Sequence, residues 1–330
     1  MEYRKFGTTD LRVSVIGFGA WGIGGPAMAG STPIGWGRVD DDVSEQALRK
    51  AYELGVNFFD TADFYGLGHS EELIGRTVAR NNDVIIATKV GHRLDRDQNI
   101  VLDYSKQHIL AACEASLKRL GRETIDYYQL HSAKLSHLEQ GECVEAMSTL
   151  KEQGKIRCWG VSLNTYKPEP EAEFMMKRQM GNGFQLVLNI INQRAVPLMQ
   201  RAAGAGYGII ARMPLQFGLL TGKFNQKTTF EKTDHRSFRL PPAILDTSLR
   251  ALSGVWPLAE RYRTSNAGVA LGFVAGFREV STIIPGIKTP EQAIENSRAP
   301  APISEADMGF LRKLYDEKLA GVLEMMEQQG

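Results

Sequence analysis

GVNFFDTADFYGLGHSEELIG, residues 55–75, decides how the rest of the chain is read. Residues 56–59 are a short apolar run, β-branched and aromatic, directly after Gly55, and such a run reads as a buried strand. Asp60, Asp63 and Tyr65 come where it stops. Ser70 then offers a helix N-cap, with Glu71 and Glu72 in the first turn. The order is strand, loop, helix. A carboxylate at the carboxyl end of a strand and a phenol five residues on would both face the mouth of an α/β sheet or barrel, where such folds place their chemistry.

Outward from this stretch the chain alternates helix and strand. Helical patterns over about 41–54, 70–80, 105–120, 139–153, within 167–180 and 197–205 lie between apolar strands at 84–91, 126–131, 156–162, 184–191 and 208–214. A polar segment, 225–248, leads to helices near 249–263 and 265–276, a strand at 280–286, and helices near 290–297 and 304–327. At the amino end, 2–9 and 10–19 read as a hairpin turning near Gly7 to Asp10, followed by a strand through Val13, Val15 and Ile16. Counting that strand gives eight, with helical crossovers that imply parallel pairing. The expected fold is α/β: a (β/α)8 TIM barrel with an N-terminal β-hairpin and long loops at the carboxyl face. No composition break divides it, so 1–330 is read as a single domain.

Gly17, Gly19 and Gly22 satisfy G-x-G-x-x-G, the dinucleotide fingerprint, about twenty residues before the acidic 40–42. The next segment, GIGGPAMAGSTPIGWG, cannot be the helix that would hold a pyrophosphate at its amino end, so 22–39 is read as a loop. Composition excludes other classes. With 39 basic and 38 acidic residues, the net charge of +1 gives no reason to expect nucleic acid or an anionic membrane as partner. Cys113, Cys143 and Cys158 form no C-x-x-C pair, which argues for reduced thiols in the cytoplasm and against a disulfide framework or a metal site. The amino terminus lacks a signal peptide's apolar core, and no window approaches 18 apolar residues.

Three further strands carry a polar residue at or near their carboxyl ends: Lys89, His131 and Ser162. In a barrel those ends converge, so Asp60, Tyr65, Lys89 and His131 can meet. A free phenol, with a pKa of about 10, is a poor acid at neutral pH, and a neighbouring ammonium makes it a better one by stabilising the phenolate. Asp60 would aim Lys89, and His131 would position a carbonyl oxygen. Together they suit protonation of a carbonyl as hydride arrives at its carbon. Singly, each has a plain structural reading as a turn cap, a solvated strand end or a satisfied core histidine. Four at matching strand ends favour the functional one. His69, His92, His108, His137 and His235 show no partner spacing and are assigned to loops or surfaces. Met175, Met176, Met325 and Met326 are assigned to helix packing, Trp159 to the core, and Trp36 to either the core or the substrate mouth.

Residues 55–75, Thr88 with Lys89, YYQLH ending in His131, GVS at 160–162, PLQFGLLTGKF at 214–224 and IIPGIKTPEQAIEN at 283–296 together resemble the aldo-keto reductases, from Tyr3 to about Asn296. That family is a (β/α)8 barrel binding NADP(H) without a Rossmann motif. The resemblance implies Asp60, Tyr65, Lys89 and His131 as catalytic tetrad, with Tyr65 as proton donor or acceptor. It places Ser162 and Gln185 on the nicotinamide carboxamide, Trp21 beside the substrate pocket, and Pro214, Leu215, Gly218, Leu219, Thr221 and Lys223 around the pyrophosphate. Glu295 and Asn296 match adenine contacts. Two positions depart from the pattern: Leu163 stands where the family usually has Asn, with Asn164 one residue later, and Arg212 stands where many members have a Tyr stacked on the nicotinamide. A guanidinium plane can stack on a ring as well.

Cofactor choice falls on 285–292. Lys288 offers a 2′-phosphate one charge, while Gly286, Ile287 and Gln292 offer none; the reading is NADPH ahead of NADH. The expected activity is NADP(H)-dependent, reversible reduction of an aldehyde, ketone or sugar carbonyl. A Schiff-base aldolase would need Lys89 neutral, and Asp60 works against that. The other alternative is a cofactor-bearing regulatory subunit resembling potassium-channel β subunits. Those carry an extension before the hairpin, whereas Met1 stands directly at it here. Specificity is expected from the loops at 22–39, 91–104 and 217–248, with Trp36, Arg93, Phe217, His235 and Arg236. The residues set neither a particular substrate, nor a direction, nor an oligomeric state.

Overall fold

Side-chain alternation builds the architecture. In a computed structural model describing residues 1–330 except 31, 233 and 299, eight strands pair in parallel in chain order. They are β1 (Phe18–Gly19), β2 (Phe58–Asp60), β3 (Ile85–Val90), β4 (Ile125–His131), β5 (Ile156–Ser162), β6 (Gly183–Val187), β7 (Gly208–Arg212) and β8 (Thr282–Ile284). Parallel bridges from Ile16 to Ile283 and from Gly19 to Gly286 bring the first strand to the last, nearly closing the sheet as a TIM barrel. Gly19 is needed at that seam: a Cβ there would lie 2.8 Å from the Pro285 carbonyl oxygen.

Along each strand one residue in two points inward. The inward set, Phe58, Ile85, Ala87, Tyr127, Cys158, Ile210 and Ile284, forms a compact apolar interior with Phe6, Leu11 and Val13. Those three come from the amino-terminal hairpin of Tyr3–Lys5 and Arg12–Ser14, which pair antiparallel. Phe6 is fully buried against Tyr127, ring centroids 4.9 Å apart, and abuts Gly183 and Gly208. A phenylalanine packed in this way contributes about 3–5 kcal/mol over alanine. Arg4 fixes the hairpin by donating to the carbonyls of Ala275, Phe277 and Val280. The outward set, with Ile86 and Leu130 among it, packs against the surrounding helices in a larger core.

Four expectations need correction. The strand through Val13 belongs to the hairpin, and the barrel's first strand begins only near Ile16; the apolar run was continuous, but the chain changes partners within it. Ser70 caps nothing: helix α1 spans Asp41–Glu53 and α2 spans His69–Thr77 after Gly68. The buried Ser70 hydroxyl instead donates to the Ala20 carbonyl and accepts from Thr61. The helix expected over 139–153 is two, Leu135–Gln140 and Glu142–Glu152, broken at Gly141 with φ 87°. The polar segment 225–248 contains short helices at Arg236–Arg239 and from Pro242 to Ala251. By contrast, α3 (Lys106–Leu120) starts as expected at Ser105, whose side chain accepts from the His108 amide. Among the described residues no helix is long and apolar enough to cross a membrane.

Candidate active site

The inward rows of β2 and β3 are apolar until the carboxyl end, where each finishes in a charged residue, Phe58 then Asp60 and Ile85, Ala87, then Lys89, while the row on β4 turns polar one step earlier: Tyr127, then Gln129 and His131. Lys89 is fully buried, and its three donor positions are filled: Asp60 Oδ1 at 2.5 Å, the Thr61 carbonyl at 2.7 Å and Tyr65 Oη at 3.2 Å. Burial alone would push this ammonium down, but attraction to Asp60 and Tyr65 outweighs it and holds Lys89 above the usual lysine value. Asp60 Oδ2 accepts from Gln129 at 3.0 Å and from Gln185 at 2.7 Å, so the buried carboxylate has donors on both oxygens. Such a pair persists in a low-dielectric interior because each charge is both opposed and hydrogen-bonded.

Tyr65 sits on the loop after β2. Gly66 and Gly68 come next at φ 62° and 103°, with Leu67 between them at 55°, so the chain turns back sharply. Gly66 can hold no side chain, since a Cβ would fall 1.9 Å from the Gly24 carbonyl oxygen. That close approach docks the Tyr65 loop onto the segment after β1. The His131 ring lies edge-on to Tyr65 at 5.9 Å and to His92 at 4.3 Å. Burial first, then the neighbouring His92, Lys89 and Arg212, holds the His131 imidazole well below its ordinary value. It is neutral at pH 7 and donates from one nitrogen only.

These groups open into a cavity of about 770 Å³. Its lining includes Asp60, Tyr65 and His131 and most of the expected ligand-binding residues: Ser162, Gln185, Arg212, Pro214, Leu215, Gly218, Thr221, Lys223, Gly286, Lys288, Gln292, Glu295 and Asn296, with Trp21 and Trp36. Leu219 is the exception; its side chain is fully buried in the core. Trp36 faces the cavity, its ring 5.2 Å from that of Trp21, and the Trp21 ring stacks at 6.1 Å on Tyr65. The Trp36 carbonyl accepts from Lys288 Nζ at 3.2 Å, and Arg236, paired with Asp234, lies over the Trp36 ring. Met213, Gln216 and Phe217 all adopt positive φ at the rim, with Gly218 beside them at 94°. Non-glycine residues in that region cost roughly 1–3 kcal/mol each and concentrate at functional sites.

The nicotinamide-facing expectations can be tested on hydrogen-bonding capacity. Gln185 Nε2 is engaged by Asp60 and by Gln129 Oε1, which leaves its own Oε1 to accept from a ligand amide. The Ser162 oxygen accepts from the Ser132 amide, which leaves its hydroxyl proton to donate. One acceptor and one donor match the two ends of a carboxamide. Asn164 does not replace the asparagine absent at 163, because its Oδ1 accepts from the Tyr166 and Lys167 amides within its own turn. Leu163 is in the core, and its carbonyl holds Arg212.

His92 and His235, assigned above to loops or surfaces, both line the cavity; His235 lies edge-on to Trp21 at 5.3 Å. Neither ends an apolar run in the way His131 does, so no strand end marked them. Gln129, Thr165 and Arg239 also escaped notice. For Gln129 a signal existed: it stands two residues before His131 on one strand, hence on the same face.

Burial lowers the His92 imidazole from the ordinary value to about 4. An imidazole kept neutral in the folded state takes up its proton at higher pH once unfolded. Stability therefore falls as pH drops below about 6.5 toward 4. Melting temperature measured across that window should decline with acid, and His92→Asn should flatten the decline; an unaltered slope would rule out His92 as a source.

A nearly closed parallel barrel with a phenol, a buried ammonium–carboxylate pair and a neutral imidazole at its carboxyl mouth defines an oxidoreductase of the (β/α)8 class. Residues 15–316 match the model of the aldo/keto reductase family, and the chain belongs to that family, whose members use nicotinamide cofactors and act on small carbonyl compounds. The uncharacterized oxidoreductase YqkF of Bacillus subtilis (strain 168) is 29% identical over 301 residues, 91% of each chain. A probable voltage-gated potassium channel subunit beta of Oryza sativa subsp. japonica is 27% identical over 322 residues, again 91% of each. Among solved structures, the glycerol dehydrogenase AKR11B4 from Gluconobacter oxydans superposes with a TM-score of 0.78 at 28% identity, covering 96% of this chain and 95% of that one.

Proposed function

We propose that this protein is an NADPH-dependent carbonyl reductase of the cytoplasm, one barrel domain over 1–330, that interconverts an aldehyde, ketone or sugar carbonyl and its alcohol. Tyr65 is the general acid and base. The single observation that carries this reading is Lys89 Nζ, which binds Asp60 Oδ1 and Tyr65 Oη at once. That ammonium stabilises the phenolate left when Tyr65 gives up its proton. The cofactor supplies a hydride; everything else is done by side chains. His131, neutral, donates to the carbonyl oxygen and orients it, and Tyr65 protonates the same oxygen. Trp21 and Trp36 wall the substrate end and limit water. In the oxidative direction Tyr65 takes the proton back.

Ser162 and Gln185 would hold the carboxamide, and Lys223 and Lys288 would face phosphate groups. Lys288 is lowered by burial first and by the nearby Arg236 next, so a phosphate arriving there meets a cation short of counter-charge. Titration should show Lys288→Met weakening NADPH by about tenfold, a typical charged hydrogen bond's worth, with NADH affinity unchanged. Equal losses for both cofactors would contradict the 2′-phosphate role. The activity itself is tested by following NADPH and NADH oxidation against a panel of aldehydes, ketones and aldoses. Cofactor binding with no turnover on any of them would favour the regulatory reading, which the similarity to the rice channel subunit raises. The complete set of proton-handling groups favours catalysis.

A further inference from the structure

The cavity's acidic lining groups are Asp60 and Glu295, and each already faces a lysine: Lys89 at 2.5 Å and Lys223 at 3.7 Å. Arg212, the last residue of β7, has no such partner. It is partly buried, lining the cavity at the catalytic end. Nη2 donates to the Leu163 carbonyl at 3.0 Å and to Thr165 Oγ1 at 3.1 Å, Nη1 meets only the Met213 sulfur at 3.3 Å, and the buried Nε has no acceptor. No carboxylate pairs with it among the described residues. The ionisable groups that act on it include Tyr65, Asp60, Tyr166 and Arg239, and Arg212 in turn acts on His131. Asp60 is already matched by Lys89, and Arg239 adds a further cation. A guanidinium stays protonated even when buried. With His131 neutral, the catalytic centre therefore carries a fixed positive charge: Lys89 and Arg212 against Asp60.

We propose that Arg212 is an electrostatic selector of cofactor redox state, disfavouring the oxidised nicotinamide and so admitting the reduced form and expelling the oxidised one. The inference rests on the proposed hydride chemistry of this same site. Transfer of a hydride, two electrons with one hydrogen nucleus, to the carbonyl carbon and of the Tyr65 proton to its oxygen would complete the alcohol, leave Tyr65 as a phenolate beside Lys89 until it regains a proton from solvent, and leave a bound nicotinamide with one positive charge it lacked before. A second cation close by, in a partly desolvated cavity, opposes that charge and leaves the neutral ring alone. Arg212 is thus a positioning residue of charge, acting on which cofactor form stays bound.

The test is titration of intrinsic fluorescence with NADPH and NADP⁺, and in parallel with NADH and NAD⁺, on the full chain and on Arg212→Gln and Arg212→Lys. The expected result is about tenfold or greater preference for the reduced form in the wild type, retained in Arg212→Lys and reduced to near parity in Arg212→Gln. Loss of packing or hydrogen bonds would weaken both forms together and cancel in the ratio, so a purely structural role cannot mimic this outcome. A ratio unchanged in Arg212→Gln overturns the proposal. If that variant does not fold, a wild-type ratio near one overturns it alone. Parity in the wild type would leave the carbonyl-reductase reading standing, whereas failure of both couples to bind would remove that reading and this inference together.

Discussion

Tyr65→Phe is expected to lower kcat by about 10²–10⁴-fold on every carbonyl substrate the protein turns over, the span attributed to a positioned general acid. The cofactor dissociation constant should hardly move. The substitution removes one oxygen from a ring that stacks against Trp21, and the ring itself keeps its place. Lys89 keeps Asp60 and the Thr61 carbonyl, so two of its three contacts survive. Steady-state rates on aldehydes, ketones and aldoses, with cofactor titration beside them, separate the two quantities. His131 could only partly compensate, because an imidazole held neutral well below its ordinary range is a donor of hydrogen bonds rather than of protons. Turnover close to wild type in a variant that binds cofactor normally would remove Tyr65 from the proton-transfer step.

The residues that form this centre were readable because barrels reward a simple pattern. Parity along β3 and β4 puts Lys89 and His131 at the inward carboxyl ends of their strands, and Asp60 does the same on β2. Strand ends can thus be picked from a one-dimensional pattern. Gln129 obeyed the same parity and went unnoticed only because a neutral amide suggests no chemistry until Asp60 is seen to need a second donor. His92 and His235 fall in the segments 91–104 and 217–248 expected to set specificity, His235 by name, but that they and Arg239 line the cavity could not be read residue by residue. Their position depends on how those segments fold back, and no local periodicity encodes that. The hairpin error around Val13 has a third cause: one apolar run serves two sheets, and composition is silent about where a strand exchanges partners. The role of Arg212 likewise became arguable only once its contacts were known, since a guanidinium at a strand end gains meaning from the carboxylate it lacks.

Removing the lysine of the central ion pair should be felt in stability as well as in rate. Lys89→Met leaves the Asp60 carboxylate 2% exposed, with only Gln129 and Gln185 to satisfy it. An uncompensated buried charge of this kind costs about 3–5 kcal/mol, a large share of the total stability of a typical domain. The expected result is a melting temperature lower by several degrees and loss of turnover. The double variant Asp60→Asn with Lys89→Met should recover much of the stability while remaining inactive, because two neutral side chains no longer strand a charge. Equal destabilisation in the single and double variants would mean that packing around Lys89, and not charge, sets the penalty. The pH dependence carries the same signature with a definite sign. The folded value of Lys89 lies above that of the unfolded chain, so its contribution is complete below about pH 10.5 and disappears as pH rises through the folded value. Alkaline unfolding should therefore be shallower in the double variant than in the wild type, since the group whose proton release drives it is no longer there.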